Sequence, residues 1–168
     1  MNQMNCLIVY DTVYGNTEQV ARAIAAAFAP AHSVRLIKAD QIAMLDVASI
    51  DLLIVGGPTH RHRISLQLAA VLKATPRGAL KGVKVATFDT RYRMAEWLSG
   101  SAASGIARHL RKLGGSLQVS PESFFIERDV PPQGEKRRHS LERLEVGEIE
   151  RVTRWAMKIV NAIEASQG

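Results

Sequence analysis

The sequence predicts an α/β fold: a three-layer sandwich in which a five-stranded parallel β-sheet carries helices on both faces. Short apolar runs of strand length alternate about five times with longer segments whose apolar residues recur at helical spacing. The first run, residues 6–10, is apolar throughout, as expected of a parallel strand buried on both faces. The 168 residues suffice for one domain and are too few for two, so residues 1–168 are expected to form a single domain.

The first half of the chain is predicted to contain three strands and two helices. The strands are residues 6–10, 33–38 and 51–55, and the helices are residues 17–28 and 64–72. In the first helix Val20, Ile24 and Phe28 share one face, and Pro30 ends it. Gly56 begins a Gly-Gly-Pro sequence that is predicted to end the third strand.

The second half continues the alternation. The predicted strands are residues 83–88 and an interrupted fifth strand of residues 117–119 and 124–126, and the helices are residues 102–113 and 145–163. Pro121 lies between the two pieces of the fifth strand, and Gly114 follows the helix before it. Residues 130–144, which contain two prolines and a glycine, are expected to form an irregular connection. In such folds ligands bind beyond the carboxyl ends of the strands, so the loops after strands one, three and four are the candidate sites.

The loop after the first strand has the composition of an anion site. Its sequence is Asp11-Thr12-Val13-Tyr14-Gly15-Asn16-Thr17. The following helix offers unpaired backbone N–H groups and a positive partial charge, and the loop adds hydroxyl and amide donors. Gly15 allows a positive φ or a close backbone approach. Because the loop lacks Lys and Arg, it suits a phosphate monoester held by dipoles and hydrogen bonds; simple capping of the helix by Asn16 or Thr17 is the alternative.

Other phosphate-handling motifs are absent from the sequence. No G-x-G-x-x-G follows the first strand and no G-x-x-x-x-G-K-[ST] occurs, which excludes the dinucleotide fingerprint and the P-loop. Gly56 and Gly57 stand where a phospho-receiver needs an aspartate at the end of the third strand. Cys6, the only cysteine, lies inside the first strand without a C-x5-R motif, which excludes a low-molecular-weight phosphatase.

Residues 12–17, after an apolar strand and before Glu18, resemble the FMN-phosphate loop of the flavodoxin family. The form with an aromatic residue before the glycine is similar to the flavodoxin modules of flavodiiron proteins, and the resemblance in element order covers nearly the whole chain. It implies a flavodoxin-like fold with bound FMN. The phosphate contacts it implies are the side chains of Thr12, Tyr14, Asn16 and Thr17 and the backbone of Val13 and Gly15.

The resemblance also implies a flavin contact in the loop after the third strand. Pro58, Thr59 and His60 would border the isoalloxazine ring. The segment lacks the Trp or Tyr that would stack on the ring, and His60 is the available substitute. His60 and His62 without a nearby Cys, Asp or Glu make a poor metal site, so no metal is expected.

The segment after the fourth strand would cover the other side of the ring. By the same resemblance the candidate contacts there are Asp89, Thr90, Arg91 and Tyr92, with Tyr92 as the covering aromatic. Trp97 is a second candidate but is expected to pack on the core instead. Guanidinium groups of Arg91 and Arg93 beside a reduced, anionic flavin would make its reduction potential less negative than in acidic flavodoxins.

The charge balance bears on partners. The formal net charge is +6 and the sequence pI is about 9.8. Such a surface favours acidic partners, nucleic acid or anionic membrane as non-specific associates, and a solvated basic surface is the alternative. Residues 130–144 contain a basic group that is expected to be solvated or to dock an acidic redox partner protein: Lys136, Arg137, Arg138, His139 and Arg143. No aromatic residues interleave with it, so no nucleic-acid partner is expected. No apolar run is long enough for a membrane span, and the single cysteine fits a reducing cytoplasm.

Three functions follow from these expectations, and the sequence leaves the oligomeric state open. The favoured one is an FMN-binding electron-transfer flavoprotein. The second is a small FMN-dependent oxidoreductase of the quinone-reductase type, which would need a substrate pocket above the ring. The third is a flavodoxin-fold binding module without flavin. The sequence shows no site specific for a pyridine nucleotide, which favours the carrier over the enzyme.

Overall fold

Strands and helices alternate along the computed structural model of the chain, which describes residues 3–59, 63–128 and 142–166. The described strands are β1 (Asn5–Tyr10), β2 (Ser33–Lys38), β3 (Leu52–Pro58), β4 (Lys84–Tyr92), β5 (Ser116–Leu117), β6 (Glu122–Arg128) and β7 (Glu142–Leu144). The described helices are α1 (Asn16–Phe28), α2 (Leu66–Ala74), α3 (Glu96–Ser99), α4 (Ala102–Lys112) and α5 (Glu148–Ala165), with a 3-10 turn at Ala39–Gln41. Within this part of the chain, no helix is both long and apolar enough to cross a membrane.

The strands form one mostly parallel sheet in the order β2-β1-β3-β4-β6-β7. The two pieces predicted for the fifth strand are β5 and β6, and both pair with β4 in parallel. The predicted α/β sandwich is therefore confirmed. The strand count was underestimated, because β7 pairs antiparallel with the edge strand β6 inside the predicted irregular connection. A three-residue strand is too short to show a periodic pattern, and its pairing depends on a tertiary contact.

Two apolar clusters, one on each face of the sheet, form the core. Helices α1 and α5 cover one face, where Phe88, Phe124 and Trp155 pack edge to face with ring centroids 5.9–6.2 Å apart. Helices α2 and α4 cover the other face. Cys6 is buried in the first cluster, and burial raises the pKa of its thiol to about 12, so the thiol stays protonated at neutral pH.

Strands β3 and β4 run further than the sequence predicts. The Gly-Gly-Pro sequence does not end β3, because Gly56, Gly57 and Pro58 continue the parallel ladder opposite Phe88, Asp89 and Thr90. Phe88 explains the glycine at position 56. A Cβ there would lie 2.2 Å from Phe88 Cζ, so this glycine makes room for a core ring.

Replacing Gly56 with alanine is expected to lower the free energy of unfolding by about 2–3 kcal/mol, because the new methyl group has no room beside Phe88. Chemical denaturation measures the loss. The matched control is Gly57→Ala in the same strand, where the nearest atom to a new Cβ is the mobile end of Leu68 at 3.3 Å. Equal losses in the two variants would show that the Phe88 contact does not explain Gly56.

Candidate functional site

An open cleft lies where β1, β3 and β4 end and α1 begins. Its volume is about 80 Å³, which is room for several water-sized groups. The lining residues are Thr12, Val13, Tyr14, Asn16, Thr17, Pro58, Thr59, Thr90, Arg91, Tyr92, Ile126 and Glu142. The structure thus brings residues from all three predicted loops to one place, at the carboxyl edge of the sheet where α/β folds bind ligands.

The first loop is folded by its own polar groups. Asp11 Oδ1 accepts a hydrogen bond from the Thr12 N–H at 2.9 Å, and Thr12 Oγ1 accepts one from the Gly15 N–H at 3.0 Å. Gly15 has φ 87°, a conformation that favours glycine, and it directly precedes α1. Gly15 is the N-cap residue and no described side chain caps the helix, so the predicted alternative of capping by Asn16 or Thr17 is wrong.

The amino end of α1 leaves donors free. The Gln19 N–H bonds to the Gly15 carbonyl at 3.0 Å, whereas the N–H groups of Asn16, Thr17 and Glu18 donate to no described residue. These groups carry the positive end of the helix dipole at the cleft. The side chains of Val13 and Tyr14 in this loop are exposed, at 54% and 64%.

Asn16 and Thr17 are buried at the base of the cleft. The Asn16 side chain is held by its Nδ2 group, which donates to the Glu142 carbonyl at 3.1 Å. Asn16 Oδ1 is buried and accepts no hydrogen bond from a described group. The hydroxyls of Thr17 and Thr90 lie 2.7 Å apart and join the first loop to β4. Buried polar atoms are normally paired, so the free Oδ1 needs a donor from outside the described chain.

Glu142 and Ile126 line the cleft and were not predicted as site residues. Glu142 accepts a hydrogen bond from the Tyr92 hydroxyl, and Arg128 Nε donates to that hydroxyl at 2.8 Å. Burial, followed by the hydrogen bond to Glu142, raises the pKa of the Tyr92 phenol. The phenol therefore stays protonated at neutral pH. Nothing local in the sequence marks Glu142, because β7 brings it to the cleft from a position 50 residues beyond Tyr92.

Asp89 lies beside the cleft and takes part in the attachment of α4. It is fully buried, and its Oδ2 accepts hydrogen bonds from Thr59 Oγ1, Ser101 Oγ and the Ala103 N–H at 2.8–3.0 Å. Thr59 Oγ1 also accepts from the Ala102 N–H at 2.9 Å. Asp89 is not among the lining residues, whereas Thr90, Arg91 and Tyr92 of the same strand are. Its observed role is to hold the start of α4 against the sheet.

The two arginines of the third segment have partners of their own. Arg91 is 9% exposed, and its guanidinium donates to Ser123 Oγ, the Met94 carbonyl and Ser99 Oγ at 2.8–3.0 Å. The guanidinium of Arg93 pairs with Glu145 at 2.7 Å. Arg91 Nε also lies 3.9 Å from Asp89 Oδ1, so both arginines have an acidic partner, and Arg91 is the one that lines the cleft. Their effect on the reduction potential of a bound flavin stays a prediction.

The second and third segments depart from the predictions in three places. Asp89 to Tyr92 belong to β4 and not to a loop, and α3 follows them. Trp97 on α3 is 81% exposed, so the expectation that it packs on the core is wrong. Four residues cannot bury an indole without a neighbouring element over it. Pro58 and Thr59 line the cleft, whereas His60 and the neighbouring His62 lie outside the described residues.

The donor set fits an anionic ligand that also carries hydroxyl groups. Three free helix N–H groups and the threonine hydroxyls can donate to phosphate oxygens. The unpaired Asn16 Oδ1 can accept a hydrogen bond from a hydroxyl. Exposed Tyr14 and half-buried Tyr92 supply aromatic surface along the same cleft. The arrangement can hold a phosphate at one end and flank a flat ring at the other.

Comparisons with known proteins agree with this geometry. The sequence profile of the family described as flavodoxin domain matches residues 7–119. No curated protein sequence matches the chain. Flavodoxin 1 from Bacillus cereus superposes with a TM-score of 0.73 at 16% identity, covering 94% of this chain and 97% of that one. Rubredoxin oxygen:oxidoreductase from Desulfovibrio gigas gives 0.72 at 20% identity, covering 99% of this chain and 38% of that one. At these identities the likenesses show the fold, and the chain spans only part of the second protein.

Proposed function

Because the chain belongs to the flavodoxin domain family, we propose that it binds FMN in the cleft and transfers electrons through it. The observation that carries this proposal is the set of free donors at the start of α1. The N–H groups of Asn16, Thr17 and Glu18 donate to no described residue, and threonine hydroxyls line the same cleft. A helix start with this composition favours a phosphate dianion.

The predicted phosphate residues divide into two groups. The side chains of Thr12 and Thr17 and the backbone of the first loop would hold the phosphate. Asn16 Oδ1 would accept a hydrogen bond from a hydroxyl of the ribityl chain, which would relieve an unpaired buried oxygen. The Tyr14 side chain and the backbone of Val13 and Gly15 would contact the phosphate from the solvent side of the loop.

The flavin ring would lie toward β3 and β4. Pro58 and Thr59 would border it on one side, and Thr90, Arg91 and Tyr92 on the other. When bound, FMN supplies the capacity to accept and release one or two electrons. The protonated phenol of Tyr92, held between Glu142 and Arg128, offers an aromatic face to the ring. Asp89 acts here through Thr59, which it orients by a hydrogen bond of 3.0 Å.

A carrier fits the cleft better than an enzyme with its own organic substrate. The cleft is small and open to solvent, so an exposed flavin edge could meet a partner protein directly. The solvent-exposed side chains of Trp97 and Met94 lie on the segment that follows β4 and would face such a partner. The physiological partner would be a redox protein, and an acidic one would complement the net charge of +6.

Reconstitution tests the proposal. Protein incubated with FMN and passed through a desalting column is expected to keep visible flavin absorption with quenched flavin fluorescence, in a 1:1 ratio to the chain. Protein that emerges colourless at every FMN concentration would support the flavin-free binding module instead. Flavin-dependent oxidation of NAD(P)H with a quinone, absent without the quinone, would favour the oxidoreductase over the carrier.

A further inference from the structure

Among the described residues, four arginines around the cleft and along β6 and β7 have polar partners, whereas a group of bases at the opposite edge of the sheet has none. Around the cleft and along β6 and β7, arginine side chains bind acids or the Tyr92 hydroxyl; the residues are Arg93, Arg128, Arg143 and Arg151. At the other edge, where the parallel strands begin, several exposed bases donate to no described residue. A group of unpaired positive charges therefore lies at that edge.

We call this surface the amino-edge patch. It consists of six exposed residues: Lys73, Arg77, Lys81, Arg108, Arg111 and Lys112. They lie at or near the last turns of α2 and α4 and in the connection that leads into β4. A backbone hydrogen bond of 3.0 Å from Leu80 to the Leu113 carbonyl fixes that connection against the end of α4. The six charges therefore lie on one side of one end of the sandwich.

Few acidic groups lie around the patch. One is Asp51, whose carbonyl accepts from the Lys84 N–H at 3.1 Å and whose carboxylate accepts from the Asn5 N–H at 2.8 Å. Between residues 66 and 118 the sequence contains two acids, Asp89 and Glu96. Asp89 is fully buried at the carboxyl end of the sheet, and Glu96 accepts a hydrogen bond from Ser104 at the start of α4. Asp46 lies near the end of α2, because the Leu45 N–H donates to Thr75 Oγ1, but its carboxylate bonds to the Ala48 N–H and to no described base.

Helix stabilisation accounts for only part of the patch. Bases in the last turn of a helix interact favourably with its dipole, which explains Lys73, Arg111 and Lys112. Arg77 and Lys81 lie in the connection after α2 and gain nothing from that effect. These two residues extend the positive surface beyond what the fold requires.

The chemistry of the patch favours a polyanion over a protein or a lipid surface. Its apolar neighbours Leu80, Val83 and Leu113 are buried, and no large apolar residue between 73 and 84 or between 105 and 117 is exposed. Protein interfaces are depleted in lysine and centred on apolar anchors, and amphipathic membrane-binding helices insert apolar side chains. A row of lysine and arginine groups without either feature matches the phosphate backbone of nucleic acid.

We propose that the amino-edge patch binds the phosphate backbone of nucleic acid without sequence preference. The patch lies at the end of the sheet away from the cleft, so binding there leaves the cleft free. The inference is independent of FMN. It concerns a different surface from the basic group in residues 130–144, because the fold brings bases between residues 73 and 112 together at the opposite end of the sheet.

Binding of a fluorescein-labelled DNA duplex of arbitrary sequence tests the proposal by anisotropy at several salt concentrations. The logarithm of the association constant is expected to fall with the logarithm of salt at a slope of about −4. The double variant Arg111→Gln with Lys112→Gln is expected to lower affinity at low salt about tenfold and to make the slope shallower by about 2. The second variant is Arg77→Gln with Lys81→Gln. Both residues lie outside any helix, so the change leaves the helix dipoles untouched, and the same losses of affinity and slope are expected.

The matched control is Arg154→Gln with Lys158→Gln. These two exposed bases of α5 form no hydrogen bond or ion pair with a described residue, and the change in net charge is the same. The control should retain the affinity and the slope of the unmodified protein. Equal losses in patch and control variants would overturn the proposal, because general charge would then explain binding. Tighter binding to phosphatidylserine vesicles or to poly-glutamate than to DNA would overturn it as well.

Discussion

Replacing Glu148 with alanine is expected to lower the free energy of unfolding by about 2–4 kcal/mol. Glu148 is 4% exposed at the start of α5 and accepts a hydrogen bond from the Phe125 N–H at 2.8 Å. It also pairs with Arg151 at 2.8 Å. Its removal leaves a buried backbone donor without a partner and an arginine with one carboxylate fewer. Urea denaturation with a matched m-value measures the loss.

Two variants separate these contributions. Glu148→Gln keeps an acceptor for the Phe125 N–H and loses only the charge, so its loss should be smaller, about 1–2 kcal/mol. Glu150→Ala removes an exposed acid from the same first turn and should cost less than about 1 kcal/mol, mostly through the helix dipole. If Glu148→Ala were no worse than Glu150→Ala, Glu148 would not anchor β6 to α5.

Removing the hydroxyls of Thr12 and Thr17 together is expected to weaken FMN binding at least about 100-fold. Each hydrogen bond to a charged group contributes about 1.5–3 kcal/mol, and valine keeps the shape of threonine while losing the donor. The double variant Thr12→Val with Thr17→Val should bind riboflavin as the unmodified protein does, because riboflavin has no phosphate. Titration by flavin fluorescence measures both affinities.

Thr153→Val is the control for the same chemical change away from the cleft. Thr153 is exposed on α5, and its hydroxyl bonds to the Ile149 carbonyl of its own helix. It should leave the FMN affinity unchanged. Two results from a double variant that folds normally would contradict the assigned phosphate contacts. One is an unchanged affinity for FMN, and the other is a loss of riboflavin affinity as large as the loss of FMN affinity.

The elements that sequence predicts best are those set by local signals. Residues 6–10 are continuously apolar, and they form β1 almost as predicted. The α1 helix begins at Asn16, one residue from its predicted start, because Gly15 with its positive φ marks the boundary. The residues of the first loop reach the cleft for the same reason, since a strand, a glycine turn and a helix follow one another without interruption.

The errors lie where distant segments decide the structure. The third strand was predicted to end at Val55, yet pairing of the next three residues with β4 extends it to Pro58, which lies opposite Thr90. Tyr92 also lies in a strand, and its hydroxyl donates to Glu142 of β7. No local sequence pattern predicts that Glu142 lies beside Tyr92. Asp89, a candidate cofactor contact, hydrogen-bonds to Thr59 and Ser101, and no sequence pattern predicted these partners. The composition of a segment predicts its chemistry, while the pairing of strands decides which way each side chain faces.

The relative affinity of the unmodified protein for FMN and for riboflavin tests the central claim most directly. If the start of α1 recognises a phosphate, FMN should bind at least about 100-fold more tightly in parallel calorimetric titrations at moderate salt. Equal dissociation constants would mean that the free amides and threonine hydroxyls at this helix end hold no phosphate, and the cleft would then need another ligand.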